Sequence, residues 1–360
     1  MEAQNISSFL LTPKDPAFVH FSTHDIEEKA LSDDFAAQAI NRALILLKKS
    51  YNLTKSQLRK CIDRENINAD SVCEPLQIQC DPTATTYYRL DGQCNNVQNP
   101  HWGARLTPMI RVFDDGFIDG IETLAPERTD ESARFDALSA NDAKGRNDGR
   151  AIEIHSDMST SIGQIITHEA MKTKKVQLHS DKRKGGFNCC NKKNDSTLAS
   201  LIAKNPNCMR INTKSNDPCF GNSENCLNYI RSFRSFDNCQ LNKSSLHINF
   251  HNAVADFELI YNSRSISHLE KNGGRFNIEN FAQMEDILVG YDDRSMQLPG
   301  LLIFLHTFLK FHNMVFDEFR KFRPTTSANV LSFEARKVAT AVFQNIYLEF
   351  FVTVLCLYHS

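Results

Sequence analysis

The chain has 360 residues, enough for one large domain or two ordinary ones. Hydrophobic residues make up 41% and charged residues 23%, the balance of a globular protein, with a formal net charge of −2. That charge, and basic runs as short as Lys172 to Lys175 and Lys182-Arg183-Lys184, argue against a nucleic-acid surface and for solvated loops.

In chain order, residues 26–60 read as one or two helices. Ala36-Ala37-x-Ala39-Ile40 and Ala43-Leu44-Ile45-Leu46-Leu47 stand at helical spacing. From Cys61 to about Glu127, Pro, Gly, Asn and Asp are frequent, so loops are expected. Helical pattern returns at Met158–Lys174. Residues 176–245 are rich in Cys, Asn and Lys with little periodicity, an irregular stretch expected to be pinned by disulfides. Further helices are predicted at Asn252–Tyr261, over 299–322 and from Ser332 to about Cys356, with Pro324 separating the last two. Phe is abundant (25 residues) beside a single Trp, which favours a sizeable buried core. The segment Val338 to Tyr358 is apolar, but Gln344, Asn345 and Glu349 interrupt it, so a core helix is expected there rather than a transmembrane span. The fold class is mainly α, with an N-terminal helical extension over 1–75 and the main domain over 76–360.

Eleven cysteines and four sequons, at Asn5, Asn52, Asn194 and Asn242, bear on the compartment. The cysteines lack C-x-x-C spacing, and the adjacency of Cys189 and Cys190 suits disulfides better than zinc. An extracellular, oxidising setting is implied. The first residues, Met-Glu-Ala-Gln-Asn, lack the basic and apolar regions of a signal peptide.

The densest chemistry lies in Gly163-Gln164-Ile165-Ile166-Thr167-His168-Glu169. Gln164, Thr167 and His168 stand three and four apart, so one helix face carries an amide, a hydroxyl and an imidazole toward one pocket. Such a face suits a small polar molecule whose protons must be moved. A core histidine bonded to a backbone carbonyl is the plainer alternative for His168.

The segment Tyr88-Arg89-Leu90-Asp91-Gly92-Gln93-Cys94-Asn95-Asn96, then Pro100-x-Trp102-Gly103, resembles the entry motif of the animal haem peroxidase superfamily. The resemblance runs collinearly through Arg111, Asp119-Gly120, Ser132-Ala133-Arg134, Gly163-Gln164-x-x-x-His168, Asp217-Pro218-Cys219, Cys226 and Phe233-Arg234-Ser235. It continues at Ile248-Asn249, Tyr261-x-Ser263, Asp293-Arg294-Ser295, Pro299, His312-Asn313 and Ala335-Arg336-Lys337, covering roughly residues 80–355.

This resemblance implies a haem-dependent peroxidase that reduces hydrogen peroxide and oxidises a small organic or halide substrate. His168 matches the distal histidine, the group that takes a proton from one peroxide oxygen and returns it to the other. Arg294 matches the distal arginine, a fixed cation beside the charge developing on the peroxide; a surface arginine paired with Asp292 or Asp293 is the alternative. Gln164 would orient water or a halide. Calcium is implied as a second ligand, at Glu169, Asn252, Val254 (through its carbonyl), Asp256 and Glu258, since hard cations take oxygen donors. Asn252 and Glu258 replace the family's hydroxyl ligands, and Glu169 its aspartate.

Two departures stand out. Thr167, Gln297 and Leu298 occupy positions where members link haem covalently, so haem b would be held without covalent bonds. The family's proximal histidine, the axial iron ligand, is expected some tens of residues beyond the helix matching Phe343–Leu355. The chain reads through Ser360 without it, and His306, His312 and His359 lack its context, so the resemblance is to a C-terminally truncated domain. The alternative function is a catalytically inactive peroxidase-like scaffold for extracellular-matrix or cell-surface binding.

Overall fold

In the computed structural model, the described residues are 28–64, 80, 92–96, 98–113, 115–123, 157–174, 189–190, 207–209, 211–212, 226–236, 244–288 and 292–350. Tyr88 to Asp91, Ser132-Ala133-Arg134, Asp217-Pro218-Cys219, His359 and the sequons at Asn5, Asn194 and Asn242 lie outside them. The chain forms two compact units, each assembled from separated segments. The first comprises Met1–Pro75, Pro108–Ala151 and Thr173–Ile248, and the second Leu76–Thr107, Ile152–Lys172 and Asn249–Ser360.

In the first unit, helices α1 (Glu28–Ser50) and α2 (Lys55–Arg64) satisfy the expectation over 26–60. Leu44 and Leu58 pack with Ile121 across the bend between them. Lys48 and Lys49 close the last turn of α1, where cations meet the negative end of the helix dipole. Two short antiparallel pairs follow, which the sequence pattern did not show. β1 (Ile211–Asn212) pairs β2 (Cys226–Leu227), and β3 (Arg234–Ser235) pairs β4 (Leu246–His247). Arg234 is buried and ties the unit together. Its guanidinium reaches Asp34 of α1, Glu122 and Asn207, while its backbone N–H donates to Asp34. Cys189 is bonded to Cys208, and Cys190 is also disulfide-bonded, as the irregular stretch led one to expect.

The second unit is helical: α3 (Asp157–Ala170), α4 (Ser263–Lys271), α5 (Phe281–Leu288), α6 (Pro299–Phe322) and α7 (Ala328–Phe350), with a 3-10 turn at Asp293–Met296. Helix α6 matches its predicted limits, for Pro299 occupies the first helical position, where its missing N–H leaves no bond unmade. The core gathers Ile165 of α3 with Phe257, Leu301, Leu305, Phe308 and Phe343. Phe257 stacks on Phe343 at 4.1 Å and meets Phe308 edge-on at 4.8 Å. Burial of each such ring contributes roughly 1.5–3 kcal/mol.

The helix predicted at Asn252–Tyr261 is not formed. Bends run through it, with left-handed φ values at Ala255 (52°) and Phe257 (65°). The reason is local competition. Glu258 accepts from the backbone N–H of Asn252, and Asn252 accepts from that of Val254, so side chains take the bonds a helix would use. The helix begins only at Ser263, where Asn262 caps it by accepting from Ser265 N–H. Gly92 lies against this loop with φ +73°. A Cβ there would come within 2.6 Å of the Asn252 Cβ, so the Asp-Gly of the entry motif permits a close backbone approach.

Candidate active site

Helix α3 carries Gln164, Thr167 and His168. His168 is buried, Gln164 half-buried and Thr167 exposed, with the Thr167 hydroxyl donating back to Gly163 O at 2.9 Å. Nδ1 of His168 is buried with no hydrogen-bond partner, so Nε2 is the nitrogen left to meet solvent or a ligand. Burial first, then the positive charge of Arg294, push the imidazole pKa down to about 4, against a smaller opposing pull from Asp292. The ring is therefore neutral near pH 7 and can accept a proton.

Arg294 sits in the 3-10 turn and is brought to the end of α3. Nη2 donates to His168 O at 3.2 Å and Nη1 to Met171 O at 2.9 Å. The His168 carbonyl belongs to the last turn of α3 and that of Met171 follows it directly, so a cation there meets both an unpaired helix carbonyl and the negative end of the helix dipole. Asp292, fully buried, accepts from Nε and, at 2.7 Å, from Nη2. Four of the five guanidinium hydrogens are thus committed, and one on Nη1 remains. Arg294 thus pairs with Asp292 and stands beside His168.

Two residues singled out by no motif complete this node. Lys172 Nζ lies 3.1 Å from Asp292, so the head of the basic run is an ion pair rather than solvated loop. His251, also buried, reaches His168 O with Nδ1 at 2.9 Å and places Nε2 3.4 Å from Asp292. Because a carbonyl only accepts, Nδ1 of His251 carries the proton. Burial, chiefly, lowers its pKa to about 3. Burial alone would raise the Asp292 pKa. The Arg294 hydrogen bond and the charges of Lys172 and Arg294 outweigh it and hold the carboxyl well below the usual range. The one available signal for Lys172 was its place one helical turn beyond His168; His251 had none beyond its neighbour Asn252.

Gln297 and Leu298 follow the 3-10 turn, both exposed. Gln164 Nε2 donates to Gln297 Oε1 at 2.8 Å, joining two of the predicted residues. Thr167, Gln297 and Leu298 are all exposed and none is a carboxylate, chemistry that would fit haem held without covalent links. His312 is buried, and both of its ring nitrogens are committed within the fold. It bonds Tyr261 and Gly274, with Nδ1 3.0 Å from the Tyr261 hydroxyl and Nε2 3.1 Å from Gly274 O.

The predicted calcium residues form a second buried cluster. Glu169 accepts from Glu258 N–H at 2.8 Å and Leu259 N–H at 3.3 Å. Asp256 accepts from Asn252 Nδ2 at 3.2 Å and lies 3.5 Å from Arg336, while its Oδ1 is buried with no partner. The donors are all oxygens and one is orphaned, which suits a hard cation. Among the described residues, however, no group of three or more His, Cys, Asp or Glu side chains is arranged around a common metal position. The carboxylates face backbone N–H groups instead. Burial, then the charges of Asp256 and Glu258, push Glu169 well above the usual carboxylate range.

No described helix is long and apolar enough to cross a membrane. The family model described as animal haem peroxidase matches residues 87–357. A peroxidase of Drosophila melanogaster is 28% identical over 305 residues, covering 76% of this chain and 42% of that protein. The chorion peroxidase of the same organism is 25% identical over 306 residues, covering 77% and 37%. Among solved structures, peroxidase A from Dictyostelium discoideum aligns with a TM-score of 0.49 at 18% identity, over 73% of this chain and 53% of that one. The chain spans about two-fifths of the length of these curated relatives.

Proposed function

The chain belongs to the animal haem peroxidase family, and from that premise we propose that it forms the distal side of a peroxidase site, acting on hydrogen peroxide and a small reducing substrate. The observation that carries the proposal is the accessible Nε2 of a neutral His168 with Arg294 anchored on the same residue's carbonyl. When bound, haem b would supply the redox chemistry that cleaves the O–O bond. His168 Nε2 takes the proton of the entering peroxide oxygen, and its low basicity lets it pass that proton to the departing one. The remaining Nη1–H of Arg294 faces the developing negative charge. Gln164, oriented by Gln297, positions water. Thr167, Gln297 and Leu298 would contact the haem without covalent links. Glu169, Asn252, the Val254 carbonyl, Asp256 and Glu258 would hold Ca²⁺. The disulfides Cys80–Cys94 and Cys189–Cys208 support an extracellular setting.

The test is titration of the purified chain with haemin, with imidazole added as the axial base. A Soret shift on binding, and peroxide-dependent phenol oxidation that falls at least tenfold in His168→Ala with haemin binding retained, are expected. A folded sample that produces no Soret shift refutes the proposal. A second reading, a binding scaffold without turnover, is favoured by one observation: Arg294 commits four of its five hydrogens to structural partners. It predicts haemin binding with no activity in the presence of imidazole.

A further inference from the structure

Outside the site, the turn between α1 and α2 carries the sequon Asn52-Leu53-Thr54, the only one of the four among the described residues. Both ends of this tripeptide have a structural task, and neither uses the asparagine side chain. Helix α1 ends at Ser50, and two residues on Asn52 has a φ of +51°, the left-handed conformation that follows helix ends and that Asn tolerates better than most residues. Leu53 N–H then returns to Lys48 O at 3.0 Å, while its side chain packs toward Leu44, Leu58 and Ile121. Thr54 starts α2. Its hydroxyl accepts from Gln57 N–H at 3.2 Å, and Gln57 Oε1 accepts from Thr54 N–H at 2.9 Å, a reciprocal cap. Because Leu53 is drawn inward, Asn52 projects outward. It is exposed, and its carboxamide makes no hydrogen bond. Beside it opens a cleft of about 360 Å³ bordered by Lys48, Lys49, Leu53, Asp119, Ile121 and Thr123.

We propose that Asn52 is an N-glycosylation site whose proximal sugar lies along this cleft; the inference rests on the extracellular setting proposed above. In the transfer, the Asn52 Nδ2 forms a bond to C1 of N-acetylglucosamine. The bond from that carbon to a polyprenyl diphosphate donor breaks, the diphosphate leaves with the electron pair, and one Nδ2 proton is lost. The fold accommodates the product without rearrangement, since the bonds that set the turn are made by the backbone of Asn52 and the hydroxyl of Thr54.

The test translates the full chain behind a cleavable leader into microsomes, with Asn5→Gln, Asn194→Gln and Asn242→Gln combined so that Asn52 alone remains. One mobility step, removed by an endoglycosidase and abolished by adding Asn52→Gly, is expected. Glycine keeps the left-handed turn, so loss of the step is not loss of fold. A protease-protected, disulfide-linked product without the step overturns the inference. The protein from its own cells separates this outcome from failure of the setting: oxidised cysteines with a bare Asn52 refute the modification alone, whereas reduced cysteines refute the setting and the modification with it.

Discussion

Asp292→Asn removes the one anion that Arg294 and Lys172 share. Asp292 is fully buried, and the Lys172 and Arg294 side chains are only 12% and 21% exposed. The substitution therefore leaves two cations facing each other in a poorly solvated place. Breaking a buried ion pair from one side costs about 3–5 kcal/mol, a large fraction of the ~5–15 kcal/mol by which domains are stable. Urea unfolding at pH 7, followed by circular dichroism, measures the loss. Lys172→Met should lose less, because Arg294 still holds the carboxylate. The double variant should fall short of the sum of the two by roughly 0.5–3 kcal/mol, as expected of groups in contact. An Asp292→Asn protein within about 0.5 kcal/mol of wild type, with additive effects, would refute the idea that this node carries the end of α3.

Three further outcomes follow from the packing. Phe257→Ala empties the space between Phe308 and Phe343, and thermal or urea melts should show a loss of about 3–5 kcal/mol. Gly92→Ala places a Cβ against Asn252 on a left-handed residue, and equilibrium unfolding should record a loss of about 1–3 kcal/mol, whereas Gly273→Ala, also left-handed but with open space around it, should lose less. His312 supplies the pH dependence. Burial lowers its pKa to about 4, with a smaller opposing effect from its bond to Gly274. The unfolded chain takes up a proton near pH 6.5 that the folded chain refuses until about pH 4. This contribution is fully present above pH 6.5 and lost as pH falls to 4, by about 3 kcal/mol in all. A His312→Gln variant should be less stable at pH 7 but should lack this part of the acid slope, measured as unfolding free energy against pH.

Helices were legible where their causes are local. Helix α6 follows from Pro299 and an apolar repeat, and α1 from its alanines and leucines; periodicity and capping act within a turn of the residue that causes them. The segment 252–261 misled because its apolar residues have helical spacing while Asn252 and Glu258 hold the backbone otherwise. The short β pairs were invisible because two-residue strands have no period to detect.

The sequence by itself determined the inventory of the site: a glutamine, threonine and histidine on one helix face, an arginine far along the chain, and the absence of carboxylates at Thr167 and Gln297. It also determined the order of motifs that shows the family. Tertiary structure decided what the charges do. Arg294 meets His168 across 126 residues of chain, and Lys172 and His251 join it at Asp292. Those pairings arise from burial, because a carboxylate removed from water must find its partners wherever the fold brings them, and no spacing in the sequence encodes that meeting.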